Sequence, residues 1–176
     1  MIVIVGGHTR NIGKTTVVAS IIEATREARW TAVKLTQHGH GFCSHGAQAC
    51  GCSHHHGLVA IDEETESNAT DSGRFLAAGA ERALWVRTAQ GDLGHAMPAI
   101  RDVIAASRNV IFESNSLMQF LQPDLYLVVV DFSVPDMKDS ARCFIDRADA
   151  FIRTGGQEAN WPGGSARWFG RQPVLE

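Results

Sequence analysis

The stretch Ile2-Val3-Ile4-Val5-Gly6-Gly7-His8-Thr9-Arg10-Asn11-Ile12-Gly13-Lys14-Thr15-Thr16 constrains this chain more than any other. A short β-branched run feeds a glycine-bounded loop, and Gly13-Lys14-Thr15-Thr16 stands where Val17-Val18-Ala19-Ser20-Ile21-Ile22 begins a helical pattern. Strand, loop and helix in that order make a phosphate cradle. Backbone N–H groups of the loop and first turn converge where the helix dipole already favours an anion. Lys14 is placed to reach terminal phosphates, and the Thr15 hydroxyl to ligate a magnesium ion shared with them. Gly7, Asn11, Ile12, Gly13 and Thr16 complete the expected cradle. The spacing departs from G-x-x-x-x-G-K-[ST]: His8 holds the first glycine position and Gly7 lies one residue earlier, so the loop is longer by one. A Gly-Lys-Thr that merely starts a helix is the plainer alternative, and the strand before it argues against that.

A length of 176 residues suits one domain, 1–176, with room for a core. The formal net charge of −3 supplies no basic field, so nucleic acid is not an expected partner. No apolar run approaches the ~18 residues of a membrane span. Gly6, Gly7 and Arg10 interrupt the N-terminus before a secretory h-region can form, so the expected compartment is the cytoplasm. Cysteines there are thiols or metal ligands rather than a disulfide framework.

Apolar runs alternate with helical patterns. The expected strands are Ile2–Val5, Thr31–Leu35, Ala83–Arg87, Asn109–Phe112, Leu125–Val130 and Ala148–Ile152. The expected helices run from Lys14 to about Ala28, from a Thr70-Asp71-Ser72 cap to Gly79, over Asp92–Ser107, and near Asp136–Arg147. Residues 36–68 form a Gly/His/Cys-rich insertion after strand two, and 154–176 an irregular tail. Strands that are continuous Val/Ile/Leu runs are buried on both faces. With helices between them, the fold class is α/β: a three-layer, doubly wound, mostly parallel sheet, with ligands beyond the carboxyl ends of its strands.

Glu113 follows the run Asn109–Phe112, where a carboxylate can hold magnesium or orient an attacking water. Asp131 stands at the equivalent point after Leu125–Val130 and competes for the role; Glu113 is preferred because the polar turn Ser114-Asn115-Ser116 follows it. Lys34 ends strand two, and a lysine in the apolar setting Ala32-Val33-Lys34-Leu35 needs an anionic partner, which a phosphate would supply. Snorkelling at a strand end is the alternative. Cys143 lies in a helical pattern and is expected in the core.

Three of the four cysteines and six of the eight histidines fall within residues 36–56. Thiolate and imidazole are the ligands zinc prefers, so Cys43, Cys50 and Cys52, with His45 and His54, form a candidate zinc set. The C-x6-C-x-C spacing matches no standard finger. A His-rich loop that only scavenges metal, or an iron–sulfur cluster completed by His or a second subunit, are the alternatives.

Together these segments resemble the MobB family, the molybdopterin-guanine dinucleotide biosynthesis protein B group of P-loop NTPases. After strand two the family carries Lys-His-Thr-His-His-Asp, which Lys34, Thr36 and His38 match and Leu35, Gln37 and Gly39 do not. The family's Lys-Asp-Ser…Ala-Gly-Ala helix corresponds to Thr70-Asp71-Ser72…Ala78-Gly79-Ala80, and its Glu-Gly turn to Glu113-Ser114. The resemblance spans about Ile2 to Asp131. It implies a homodimeric GTP-binding protein with weak Mg2+-dependent GTPase activity, assisting GMP attachment to molybdopterin alongside a guanylyltransferase. It also implies that Gly13, Lys14, Thr15 and Thr16 bind phosphates and magnesium, that Glu113 serves the metal or water, and that Asp71 and Ser72 line the site. The Cys/His insertion is foreign to the family pattern, and no Asn-Lys-x-Asp guanine motif is present; Ala148–Thr154 stands in its place without the Asn-Lys pair. Two other classes stay open: a nucleotide-dependent metallochaperone using the Cys/His loop, and an ATP-dependent ligase or kinase similar to the dethiobiotin synthetases, whose phosphate loop has the same extra residue.

Elemental analysis of protein purified without a nickel column should find about one zinc per chain. Less than about 0.2 metal per chain, with all three thiols freely titratable, would remove the site.

Overall fold

Successive residues of the first strand, Ile2–Gly7 (β1), enter opposite cores: Val3 and Val5 pack on one side of the sheet and Ile4 on the other. A strand buried on both faces belongs in the middle of a sheet. The computed structural model describes residues 1–38, 59–67 and 70–154, and the backbone of 167–170. The remaining strands are Trp30–His38 (β2), Val59–Glu63 (β3), Arg82–Ala89 (β4), Asn109–Glu113 (β5), Leu125–Val130 (β6), Ala150–Arg153 (β7) and Arg167–Gly170 (β8). Their order is β3-β4-β2-β5-β1-β6-β7-β8. The six inner strands run parallel, while β3 and β8 are antiparallel edges.

Helices Lys14–Ala24 (α1) and Asp71–Ala78 (α2) cover one face, where Val17, Val18, Ile22, Phe75 and Ala78 join Val3, Val5 and Ile111. Leu93–Ala106 (α3) covers the other, inserting Leu93, Ala96, Met97 and Ile100 against Ile4, Val33 and Phe112. The result is the three-layer α/β architecture the pattern predicts. The α2 signals act as expected: the Thr70 side chain accepts from the Gly73 N–H at 3.0 Å, and Gly79 ends the helix at φ 106°.

Several boundaries differ from expectation. β2 runs on to His38 because it pairs with β4 as far as His38–Ala89, so Lys34 sits within the strand and not at its end. β3 lies inside the segment read as insertion, and β8 inside the segment read as tail. Each is a short strand with one sheet partner among the described residues, a pairing invisible to local periodicity. The first helix stops at Ala24 and continues as a 3-10 turn over Arg26–Ala28. The helix expected near Asp136–Arg147 shrinks to Asp139–Arg142 (α4) plus a 3-10 turn, Ile145–Arg147, because Phe144 leaves helical backbone at φ −134°. The last parallel strand is shifted to Ala150–Arg153. Cys143 is exposed and not a core residue, since the truncated helix no longer turns it inward. No described helix is long and apolar enough to cross a membrane.

Tyr126 in β6 is 1% exposed, and its hydroxyl has no protein partner among the described residues. Burial pushes the phenol up to about 12, a little offset by Arg147. A buried hydroxyl without a partner costs stability. Tyr126→Phe should therefore leave unfolding free energy in urea unchanged or raise it by up to ~1 kcal/mol; a loss of that size would show that the hydroxyl has a partner.

Candidate functional site

The turn after β1 is held by what surrounds it. Gly7 has no side chain because none would fit: a Cβ there would lie 2.8 Å from both Lys14 Cδ and Ile12 Cδ1. Lys14 thus lies across bare backbone, and its ammonium donates to the Thr9 carbonyl at 3.0 Å. Gly13 enters α1 in the left-handed region at φ 91°, and Asn11 shares that region at φ 56°. Asn115 clamps the turn from the neighbouring strand: its Oδ1 accepts from the Gly7 N–H and its Nδ2 donates to the Gly7 carbonyl, both at 2.8 Å. From the other side, Thr154 Oγ1 donates to the Ile12 carbonyl at 2.8 Å.

His8, which replaces the usual glycine, is buried and faces away from the cradle. The Asp131 N–H donates to His8 Nδ1 at 3.4 Å, so Nε2 carries the proton shared with the Val134 carbonyl at 3.1 Å. The imidazole is used as a structural bridge.

Val5, Glu113 and Lys34 share one register across β1, β5 and β2, and so share the α1/α2 face. Glu113 is 7% exposed, and Thr15 Oγ1 donates to its Oε2 at 2.8 Å. These are hard oxygen donors side by side, a fit for magnesium. Lys34 forms an ion pair with Asp71 at the start of α2. Arg74, one turn on, lies 3.9 Å from Asp71 and donates to Thr16 Oγ1 at 3.1 Å, tying α2 to the first turn of α1. Ser72 is buried and donates to Glu64 at 2.7 Å. The structure thus brings together Gly7, Asn11, Ile12, Gly13, Lys14, Thr15, Thr16, Glu113, Lys34 and Asp71, whereas Ser72 is turned to Glu64. Asp131 is spent locally, accepting from Ser133 N at 2.9 Å and Ser133 Oγ at 2.6 Å, bonds that hold its carboxyl below the usual range.

The zinc candidates Cys43, His45, Cys50, Cys52 and His54 lie outside the described residues. Among the described residues no three His, Cys, Asp or Glu side chains gather as a metal set.

Asn115, Thr154 and Lys138 are the residues that sequence reasoning missed. Asn115 stood in a turn already noted after Glu113. Lys138 carried no signal, because it comes from a separate loop, 131–138, folded along the turn after β1. The Lys138 N–H donates to the His8 carbonyl at 2.8 Å, and Thr9 Oγ1 donates to Asp136 at 2.8 Å. Beside that loop lies an apolar cavity of about 400 Å3, lined by His8, Phe132, Val134, Met137, Ile145 and Phe151 among others.

No protein-family model matches the chain, and no curated protein matches it. Among solved structures, it is similar to LpxK from Aquifex aeolicus in complex with ATP, at TM-score 0.53 and 14% identity. The match covers 92% of this chain and 51% of that one, so the chain spans about half the length of that structure. With the loop after β1 and the mostly parallel α/β sheet around it, the likeness is one of fold.

Burial, and secondarily Lys14 and Arg10, push the Lys138 ammonium from 10.5 down to about 8; Glu113 and Asp136 oppose this. Lys14 is lowered in the same way, chiefly by burial, with Glu113 the main opposing charge. The unfolded chain then binds more protons than the folded one between about pH 8 and 10.5, so stability rises with pH across that window. Lys138→Met should flatten this rise in urea titrations at pH 7.5, 8.5 and ~9.5. An unaltered slope would contradict the burial of that charge.

Proposed function

We propose that this chain binds a magnesium nucleoside triphosphate in Gly7–Thr16 and acts as a slow GTPase, a GTP-binding accessory protein of molybdenum-cofactor maturation in the manner of the MobB family. The observation that carries nucleotide binding is the buried Thr15–Glu113 hydrogen bond behind Lys14, at the carboxyl end of parallel strands. The finer reading draws support from the Lys34–Asp71 ion pair, which joins in space the two separate segments on which the family likeness rests. GTP over ATP, a homodimer, and molybdopterin with its guanylyltransferase as partners follow from that likeness alone.

In this reading Thr15, and Glu113 through a water, would hold a magnesium ion, which would supply Lewis-acid polarisation of the phosphate oxygens. The chain's own groups do the rest. Amides of the turn and of the α1 first turn point at the β-phosphate. Lys14 leaves the Thr9 carbonyl for the terminal phosphates, and the buried Glu113 carboxylate holds a water for attack. Lys34, paired with Asp71, sets the charge at the α2 side of the site.

A second reading, an ATP-dependent ligase or kinase, is favoured by the extra loop residue and by the similar fold having been solved with ATP. The metallochaperone reading rests on Cys43, Cys50 and Cys52 and falls or stands with the zinc analysis.

A thermal-shift panel separates these: stabilisation by Mg2+–GTP but not Mg2+–ATP supports the first, and the reverse supports the second. Lys14→Ala should abolish triphosphate binding, because phosphate charge loses its principal counterion. Glu113→Gln should keep nucleotide binding while slowing hydrolysis at least ~tenfold. Unchanged affinity in the first variant, or unchanged turnover in the second, would overturn the assigned roles.

A further inference from the structure

Three lysines surround the phosphate turn, and they are treated differently. Lys34 is partnered by Asp71. Neither Lys14 nor Lys138 forms an ion pair with any described residue. Both are partly buried, and the Lys14 charge is among those that lower the Lys138 ammonium. Two like charges near one another in a partly dry site repel, and a bound anion relieves the repulsion.

The position of Lys138 is built and not accidental. Its own N–H is fastened to the His8 carbonyl, and Asp136 two residues earlier is fastened to Thr9, so loop 131–138 is stitched to the phosphate turn at two points. The groups facing the Lys138 ammonium are Lys14 and Arg10 of the turn, Glu113 of β5 and Asp136 of its own loop. Three cations thus meet two carboxylates, Asp136 bonded to Thr9 and Glu113 to Thr15, so the cations exceed the anions by one.

We propose that Lys138 is a second phosphate-binding cation, seating the terminal phosphate of a bound nucleoside triphosphate between its ammonium and that of Lys14. This rests on the nucleotide-binding reading given above. A terminal phosphate carries the largest charge of the chain of phosphates, and in transfer that charge spreads over its outer oxygens. Two ammonium groups held in place before binding neutralise it without reorganisation. The diphosphate lacks that group, so Lys138 makes the site discriminate triphosphate from diphosphate.

Calorimetric titration at pH 7 with Mg2+ and either GDP or a non-hydrolysable GTP analogue, and the same with the adenine pair, tests this. In Lys138→Met the triphosphate affinity should fall at least ~tenfold while diphosphate affinity stays within about twofold. Lys138→Arg, which keeps the charge, should stay within about threefold of the unaltered protein for both. Should Lys138→Met fold poorly, Lys138→Gln carries the same expectation. Equal losses for both nucleotides, or no loss for either, would overturn the proposal while leaving nucleotide binding intact. If the unaltered protein bound neither nucleotide, the underlying reading would fall and this inference with it.

Discussion

Lys14 places a partly buried ammonium over backbone that carries no side chain, and among the described residues it donates to a single neutral carbonyl, that of Thr9. Holding a cation in that position is unfavourable unless an anion arrives, since burial pulls its proton affinity down. The surroundings make sense around this one constraint. Gly7 is bare so that the lysine stem can cross it, and Asn115 fixes the Gly7 peptide by bonding both its N–H and its carbonyl. His8, whose ring bridges Asp131 and Val134, anchors the turn to the loop after β6. A turn clamped this way pays the ordering cost in folding, so its amides need not rearrange on binding.

The electrostatics of the site divide along the sheet. On the α2 side, Lys34, Asp71, Arg74 and Thr16 form a closed set in which each charge has a partner. On the β6 side, Lys138 feels the charges of Lys14 and Arg10 against those of Glu113 and Asp136, one cation more than the carboxylates balance. The molecule as a whole carries a net charge of −3, so this positive patch is local and stands against the overall balance.

The parallel core was legible because its strands are apolar throughout. β6, Leu-Tyr-Leu-Val-Val-Val, is buried over all but its first residue, and β1 is buried from its second residue on. Capping was equally legible: Thr70 and Gly79 bound α2 through contacts within a few residues. The edges were not. β3 adds to β4 through antiparallel pairing that runs from Val59–Thr88 to Glu63–Leu84, and its own sequence, Val-Ala-Ile-Asp-Glu, ends in two charged residues because its outer part faces solvent. The same reasoning covers α4, where a short helical stretch survives only as far as Phe144 allows.

From its amino-acid order alone, the chain declares a glycine-bounded turn between a strand and a helix, the alternation of α and β, and the acidic residue that ends β5. These are local patterns, written within one element or one turn, and backbone propensity and periodicity suffice to read them. Only the assembled sheet decided which of two carboxylates meets Thr15, that Asn115 would clamp Gly7, that Lys34 would be paired and that the Lys138 N–H would be bonded to the turn that carries Lys14. Each of those facts depends on which strand lies next to which and on how far a loop folds back. Strand order is chosen by the burial of whole faces, a property no single segment carries.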